Sequence, residues 1–349
     1  MKIGLLGLPG SGKSSVFRAV TGRGHDRRTG DDIAVVKVPD DRLQRIAACY
    51  ESRKMTMAEV TLVDITALNK GEDVANRQRH LSQLAGDADA FTLVIQAFGT
   101  MDYTGGQLNP RSDLETLLLE LTLTDLDVIA ARIERVETGP KVDRGLFELN
   151  TLRKAHDHLA AGGLMSSLEL GAEEQKLLRG FGLLTSRPML VVFNVGEDDL
   201  QGDRIAPARD YAATLGLASL AFCAELEEEL AVLPDDERGE FMADFGLLES
   251  ARDRLVRAAY TTLDVVTFYT AAGNEARAWT VQRGTSAREA AGKIHTDMAA
   301  NFVRAEVIKA SVLLELASEA ACRERGAIAL EGADYVVEDG DVLLIRFTH

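Results

Sequence analysis

At 349 residues the chain is long enough for two or three domains of roughly 150 residues each. Apolar residues make up 46% and charged residues 27%, a balance that excludes a disordered chain, a collagen-like chain and a coiled-coil rod. Lysine and arginine number 39 against 55 aspartates and glutamates, a formal charge of −16 that repels nucleic acid and anionic membranes at long range.

In chain order, residues 3–6 form a short apolar strand that runs into Gly7-Leu-Pro-Gly-Ser-Gly-Lys-Ser14, and residues 14–21 read as a helix. Residues 34–38, 60–63 and 91–95 are further strands, and the near-continuous apolar character of Phe91-Thr-Leu-Val-Ile95 is that of a strand buried on both faces of a parallel sheet. The texture then changes to helix. Residues 114–136 carry a leucine stripe (Leu114, Leu117, Leu118, Leu121, Leu123, Leu126), and helical stretches 146–159 and 172–181 follow after Thr138-Gly-Pro140 and Gly162-Gly163. This predicts an antiparallel helical hairpin inserted into the α/β domain, with the stripe packed inside the insert. Strands at 189–193 and 219–222 resume the sheet. From Val265 the pattern becomes β-rich, with strands at 265–269 and 277–281, a helix at 287–294, and residues 335–345 predicted as two strands around Glu338-Asp-Gly340. No apolar run approaches the ~20 residues needed to cross a bilayer. The opening Met1-Lys-Ile-Gly-Leu5 shows no signal-peptide pattern, and Cys49, Cys223 and Cys322 are too scattered for a disulfide framework or zinc cluster, so a cytoplasmic setting is expected.

Gly7–Ser14 matches G-x-x-x-x-G-K-[ST] at every fixed position, after a strand and before a helix. Such a loop curls so that successive backbone N–H groups point at a polyphosphate, with the positive end of the helix dipole behind them. Gly10, Ser11, Gly12, Lys13, Ser14 and Ser15 are therefore candidate nucleotide-binding residues. Lys13 would reach the β- and γ-phosphates, and the Ser14 hydroxyl would ligate Mg²⁺. A second metal-side acid should come from a neighbouring strand. Asp64, ending Val60-Thr-Leu-Val, supplies it, the alternative being a cap on the following turn. Lys13 and Asp64 are thus the candidate catalytic residues, and Ser14 and Asp64 the candidate metal ligands. Asn194, at the end of the 189–193 strand, carries both a donor and an acceptor with which to read a base edge, or is simply a polar residue after a strand.

These pieces together resemble the YchF family, the Obg-like ATPases among the translation-factor-class P-loop GTPases, over nearly the whole chain. The most specific matches are Ala276-Arg-Ala-Trp-Thr-Val281, Ala290-Ala-Gly-Lys-Ile-His-Thr-Asp297, Phe302-Val-Arg-Ala-Glu-Val-Ile308 and Glu331-Gly-Ala-Asp-Tyr-Val-Val-Glu-Asp-Gly-Asp341, which look like that family's TGS domain. The resemblance implies a P-loop GTPase-like, doubly wound and mostly parallel sheet over residues 1–108 and 184–263. It further implies a helical coiled-coil insert at 109–183 and a ubiquitin-like β-grasp TGS domain at 264–349. It also implies that Asn194 and Glu197 replace the Asn-Lys-x-Asp of ordinary GTPases. Glutamate is longer than aspartate and misplaced for guanine's N1–H and 2-amino group, so adenine is no longer excluded. Cys223 and Ala224, in Phe222-Cys-Ala-Glu225, match the segment after the family's last nucleotide-site strand, where Cys223 is either near the base and open to oxidation or a buried inert thiol.

The sequence departs from the family in its switching elements. His25-Asp-Arg-Arg-Thr-Gly-Asp-Asp32 lacks the family's phosphate-sensing element, with Thr29 the candidate substitute. Asp64-Ile-Thr-Ala67 has alanine where the family has glycine, and residues 69–80 have lost most of their glycines. The family's asparagine in the phosphate loop is Gly10. The position of its water-positioning histidine falls around Tyr103 or Thr104, and His80 is a second candidate for that role. From residue 266 onward the net charge is only −3, and Arg277, Arg283, Arg288 and Lys293 lie near Trp279 and His295. They form either a patch for ribosomal RNA or protein or a solvated face. Two readings follow. One is a slow Mg²⁺-dependent ATPase, or GTPase, that meets the ribosome through its TGS domain and helical insert. The other is a non-hydrolysing ATP- or GTP-binding adaptor. A P-loop small-molecule kinase is a weaker third, because no lid arginines are recognisable. No DNA or membrane partner is expected.

Overall fold

The computed structural model describes residues 1–22, 32–65, 88–139, 145–247 and 249–348. The chain divides into two compact units, Met1–Val35 with Thr61–Thr262, and Val36–Val60 with Leu263–His349. Among the described residues no helix is long and apolar enough to cross a membrane.

The first unit is built on a six-stranded sheet. Its strands are β1 (Lys2–Gly7), β2 (Asp32–Lys37), β4 (Glu59–Asp64), β5 (Ala90–Ala97), β6 (Met189–Val195) and β7 (Ala218–Phe222), in spatial order β2-β4-β1-β5-β6-β7. From β4 to β7 neighbouring strands run parallel. Every residue of β5 and β6 is buried, as expected of strands covered on both faces. Helix α1 (Lys13–Thr21) follows β1 directly and buries Val16, Phe17, Ala19 and Val20.

Helix α3 (Pro110–Thr138) is capped by Asn109, whose side chain accepts from the Ser112 N–H at 3.2 Å, with proline in the first turn where its missing N–H costs nothing. With α4 (Gly145–Ala160) and α5 (Ala172–Arg179) it forms the helical insert. The leucine stripe divides, contrary to the expectation that it packs within the insert. Leu114, Leu117, Leu118 and Leu121 are buried against Phe91, Leu93, Val191 and Phe193 of the sheet. Only the second half of α3, from Leu126 and Ile129 onward, joins Leu152, Ala155 and Leu159 in a separate core. Leu123 is 45% exposed. A 29-residue helix spans more than 40 Å, so one continuous helix covers the sheet and then leaves it. Helices α6 (Ala206–Thr214), α7 (Ala224–Val232), α8 (Asp235–Asp244) and α9 (Ala251–Thr262) complete this unit.

The second unit is a β-grasp sheet of order β11-β10-β12-β8-β9-β3. Strands β8 (Val265–Ala272) and β9 (Glu275–Gln282) form a hairpin, and β12 (Asp341–Phe347) runs parallel to β8 and antiparallel to β10 (Phe302–Lys309). β11 (Ala329–Glu331) borders β10. Helix α10 (Ala287–Ile294), opened by a Ser286–Glu289 capping box, packs on one face over Val266, Phe268, Val281, Ala305 and Leu343. The short helices α11 (Thr296–Ala300), α12 (Ala310–Leu316) and α13 (Glu319–Glu324) complete it. Residues 335–345 contain one strand, not two. Before Gly340 only an isolated bridge, Ser286 to Val336, is formed, and Lys309, Tyr335, Glu338 and Asp341 are bonded to one another instead. The sixth strand is β3 (Lys54–Thr56), parallel to β9, and helix α2 (Asp41–Cys49) brings Asp40 to the Tyr269 hydroxyl at 2.6 Å and Arg42 to Asp339 at 2.6 Å.

Candidate nucleotide site

The loop between β1 and α1 has the backbone its glycines predict. Gly10 (φ 81°) and Gly12 (φ 77°) are both left-handed, and Gly12 is the N-cap of α1. Neither has room for a side chain. A Cβ at Gly10 would lie 2.7 Å from the Tyr103 Cβ, and one at Gly12 would collide with the Asn194 Nδ2. Ser11, between them, is buried, and its hydroxyl has no partner among the described residues. A buried hydroxyl left without a partner is costly unless a ligand completes it.

At the helix end of this loop Lys13 and Ser14 converge on one carboxylate. Asp64 closes β4 in register with Leu5 of β1, which sets it beside the loop. The Lys13 Nζ is paired with Asp64 Oδ1, and the Ser14 hydroxyl donates to Asp64 Oδ2 at 2.8 Å. Lys13 and Asp64 are nearly buried, at 6% and 9% exposed, whereas Ser14 is exposed. A cation, a hydroxyl and a carboxylate gathered at a helix N-terminus fit a phosphate group with a hard cation that prefers oxygen ligands. The residues present fit both a nucleotide and Mg²⁺. The Ser15 hydroxyl accepts from Arg18 at 3.0 Å, and Arg18 also pairs with Glu228 of α7 at 3.1 Å.

The other end of the site lies at the C-terminal edges of β6 and β7. Asn194 is 4% exposed, donates from Nδ2 to the Ser11 carbonyl at 3.2 Å and accepts at Oδ1 from the Ala224 N–H at 3.1 Å. It therefore ties the phosphate loop to the Cys223-Ala224 segment, a bracing role that its sequence position does not reveal. One amide hydrogen and one lone pair remain beyond these two bonds. Glu197 is exposed in the short turn Glu197–Asp199. Burial pushes the Cys223 thiol up, and the neighbouring Glu197 carboxylate adds to this. Cys223 is 3% exposed, which favours the inert alternative.

Gln96 and Phe98 escaped the sequence reading, and Tyr103 entered it only as the position aligned with the family's water-positioning histidine. Gln96, near the end of β5, and Phe98 and Tyr103, which follow the strand, have side chains that reach Gly10 or Gly12. The available signal was Gln96, a polar residue next to the end of a buried, mostly apolar strand, in register with Asn194. Thr29, Ala67 and His80 lie outside the described residues. Of the basic cluster in the second unit, Arg277 is stacked on Trp279 (4.0 Å to the ring centroid) and Arg283 pairs with Asp264 at 2.8 Å, while Arg288 and Lys293 are exposed on α10.

Comparison with known proteins agrees with this geometry. The family model YchF-GTPase_C, described as Protein of unknown function (DUF933), matches residues 265–348. The ribosome-binding ATPase YchF of Bacillus subtilis is 35% identical, the alignment covering 99% of this chain and 98% of that protein. The protein of the same name from Escherichia coli O157:H7 is 34% identical, with 99% of each chain covered. Among solved structures, the Schizosaccharomyces pombe YchF GTPase superposes with a TM-score of 0.87 at 26% identity, over 99% of this chain and 97% of that one. A GTP-binding protein from Pyrococcus horikoshii shares the fold at TM-score 0.65 and 19% identity, with 100% of each chain covered.

Proposed function

Because the chain belongs to the YchF family, we propose that it is a Mg²⁺-dependent nucleotide-binding protein of the cytoplasm that hydrolyses ATP slowly, accepts GTP as a second substrate, and works on the ribosome. The observation that carries the nucleotide reading is the loop itself, with two left-handed glycines that leave no room for a Cβ and a far end where Lys13, Ser14 and Asp64 meet. In this reading the N–H groups at the start of α1 and the Lys13 ammonium hold the phosphates and offset their charge. Ser14 and Asp64 hold Mg²⁺, which when bound neutralises charge on the phosphate oxygens. Asn194 presents its remaining donor and acceptor to the base, and the longer Glu197 stands where a guanine-reading aspartate would be. Phosphoryl transfer depends on positioning and charge neutralisation, and no histidine stands at the family's water-positioning place around Tyr103, so turnover is expected to be slow until a partner completes the site.

Phosphate release tests this, measured with and without ribosomes beside a Lys13→Ala control. The expected result is slow release in the wild type, lower by about 100-fold or more in the control, an effect of the size seen when one charge-stabilising donor is removed. No release above the control under either condition would remove the ATPase claim. If ATP still binds, the second reading holds, a non-hydrolysing adaptor, which the alanine in Asp64-Ile-Thr-Ala67 favours.

A further inference from the structure

We infer that Gln96 is a positioning residue for nucleotide binding, holding the segment 98–103 against the back of the phosphate loop. The inference rests on the reading that this loop takes a nucleoside triphosphate. Gln96 is 8% exposed, the last residue but one of β5, and lies beside Asn194 on the adjacent strand. Both hydrogens of its amide are spent on one bend, since Nε2 donates to the Met101 carbonyl at 3.0 Å and the Phe98 carbonyl at 3.3 Å. Beyond Met101 the chain is tied by Asp102, whose Oδ1 accepts from the Thr104 N–H and the Gly106 N–H, each at 2.8 Å. Gln96 thus anchors the near side of a bend whose far side is closed by its own bonds.

The bend ends against the two left-handed glycines. The Tyr103 Cβ and Cγ lie 2.7 Å and 3.6 Å from the place of a Gly10 Cβ, and Phe98 Cε1 lies 3.3 Å from that of a Gly12 Cβ. Glycine has the widest choice of backbone conformations, so a loop that must keep its N–H groups aimed at an anion needs support from outside. One buried amide behind Gly12, that of Asn194, bonds to the loop directly. The other, Gln96, works through the main chain of Phe98 and Met101 that it bonds, with its own Oε1 3.6 Å from the place of a Gly10 Cβ. With its donors used on main-chain carbonyls, Gln96 acts through the segment and not on the phosphates.

The test titrates a fluorescent ATP analogue into the wild type, Gln96→Leu, Gln96→Glu, Tyr103→Ala and the Gln96→Leu/Tyr103→Ala double variant, with melting temperatures recorded for all. Glutamate keeps the length of the side chain but, ionised, cannot donate to Phe98 and Met101. The expected result is binding about 10-fold weaker for both Gln96 variants, at the typical scale of one lost hydrogen-bonded contact, a smaller loss for Tyr103→Ala, and a double variant no weaker than Gln96→Leu alone, because both changes release one segment. A purely structural Gln96 would lower the melting temperature and leave the affinity of the folded protein unchanged, which overturns the inference. Full additivity in the double variant, or failure of both Gln96 variants to fold, overturns it too. If the wild type itself does not bind, the nucleotide reading falls first. If it binds and the Gln96 variants bind equally well, this inference alone falls.

Discussion

At Gly12 the requirement for glycine is doubly determined, by a left-handed backbone and by the Asn194 amide occupying the space of a side chain. Alanine there must either abandon φ near 77° or displace Asn194 from Ser11 and Ala224. Gly12→Ala is therefore expected to cost about 1–3 kcal/mol in chemical denaturation and to abolish measurable ATP binding. Unchanged affinity would show that the loop is not the binding element. The individual residues of this loop were legible in the sequence because their spacing is local. Gln96 and Phe98 were not, and Tyr103 was met only as an aligned position, since all three reach the loop from the end of β5 and the turn after it, once the sheet has formed. Asn194 was found, but its bracing of the loop was not. Its strand-end position announced a polar group at the ligand edge, while its bonds to Ser11 and Ala224 depend on where two other elements lie.

Among the elements, α3 is held to the sheet's return segment by one buried carboxylate. Asp125, 1% exposed, accepts from the Leu184 N–H (2.7 Å), the Thr185 N–H (2.8 Å) and the Thr185 hydroxyl (2.6 Å). Asp125→Ala leaves three buried donors unmet and is expected to destabilise the protein by about 3–5 kcal/mol. Burial pushes the Asp125 carboxyl up, with the bonds from Thr185 and Leu184 opposing it. Between the unfolded value of about 3.9 and the raised folded one, the native state keeps a proton that the unfolded chain has released. Stability contributed by Asp125 therefore falls as pH rises through that window and levels off above it. Denaturation of the wild type and Asp125→Ala from acid to neutral pH should show their difference narrowing with rising pH; a difference that widens contradicts the assignment. Strand and helix identity was well legible at this scale, because apolar runs and 3.6-residue spacing are local signals. Two readings failed for tertiary reasons. The leucine stripe of α3 serves two cores in succession, which periodicity alone cannot divide. Residues 335–338 have strand-like composition, but Tyr335 and Glu338 are engaged with Lys309 and Asp341, and the ladder beside β12 is filled by β10 and β8.

At the scale of the whole molecule, the chain builds its second unit from two distant segments, and no local pattern announces that Val36–Val60 packs with Leu263–His349. Within that unit β3 covers the edge of β9, and Asp40 satisfies Tyr269, a fully buried tyrosine whose hydroxyl burial pushes well up. A fragment of residues 263–349 alone should expose the Tyr269 face and an open strand edge, and be less stable and more prone to associate than the same fragment joined to residues 36–60 by a flexible linker. Thermal unfolding and light scattering would check this, and equal stability of the two would contradict it. The central claim concerns the first unit, where the loop from Gly7 to Ser14 holds the phosphates of a nucleoside triphosphate. Its most direct test is a calorimetric titration of ATP into the protein with and without Mg²⁺, repeated with Lys13→Ala. The account predicts saturable binding that Mg²⁺ strengthens and the substitution weakens by at least about 10-fold, equivalent to roughly 1.4 kcal/mol. No heat of binding in the wild type, or equal affinity in Lys13→Ala, would contradict it.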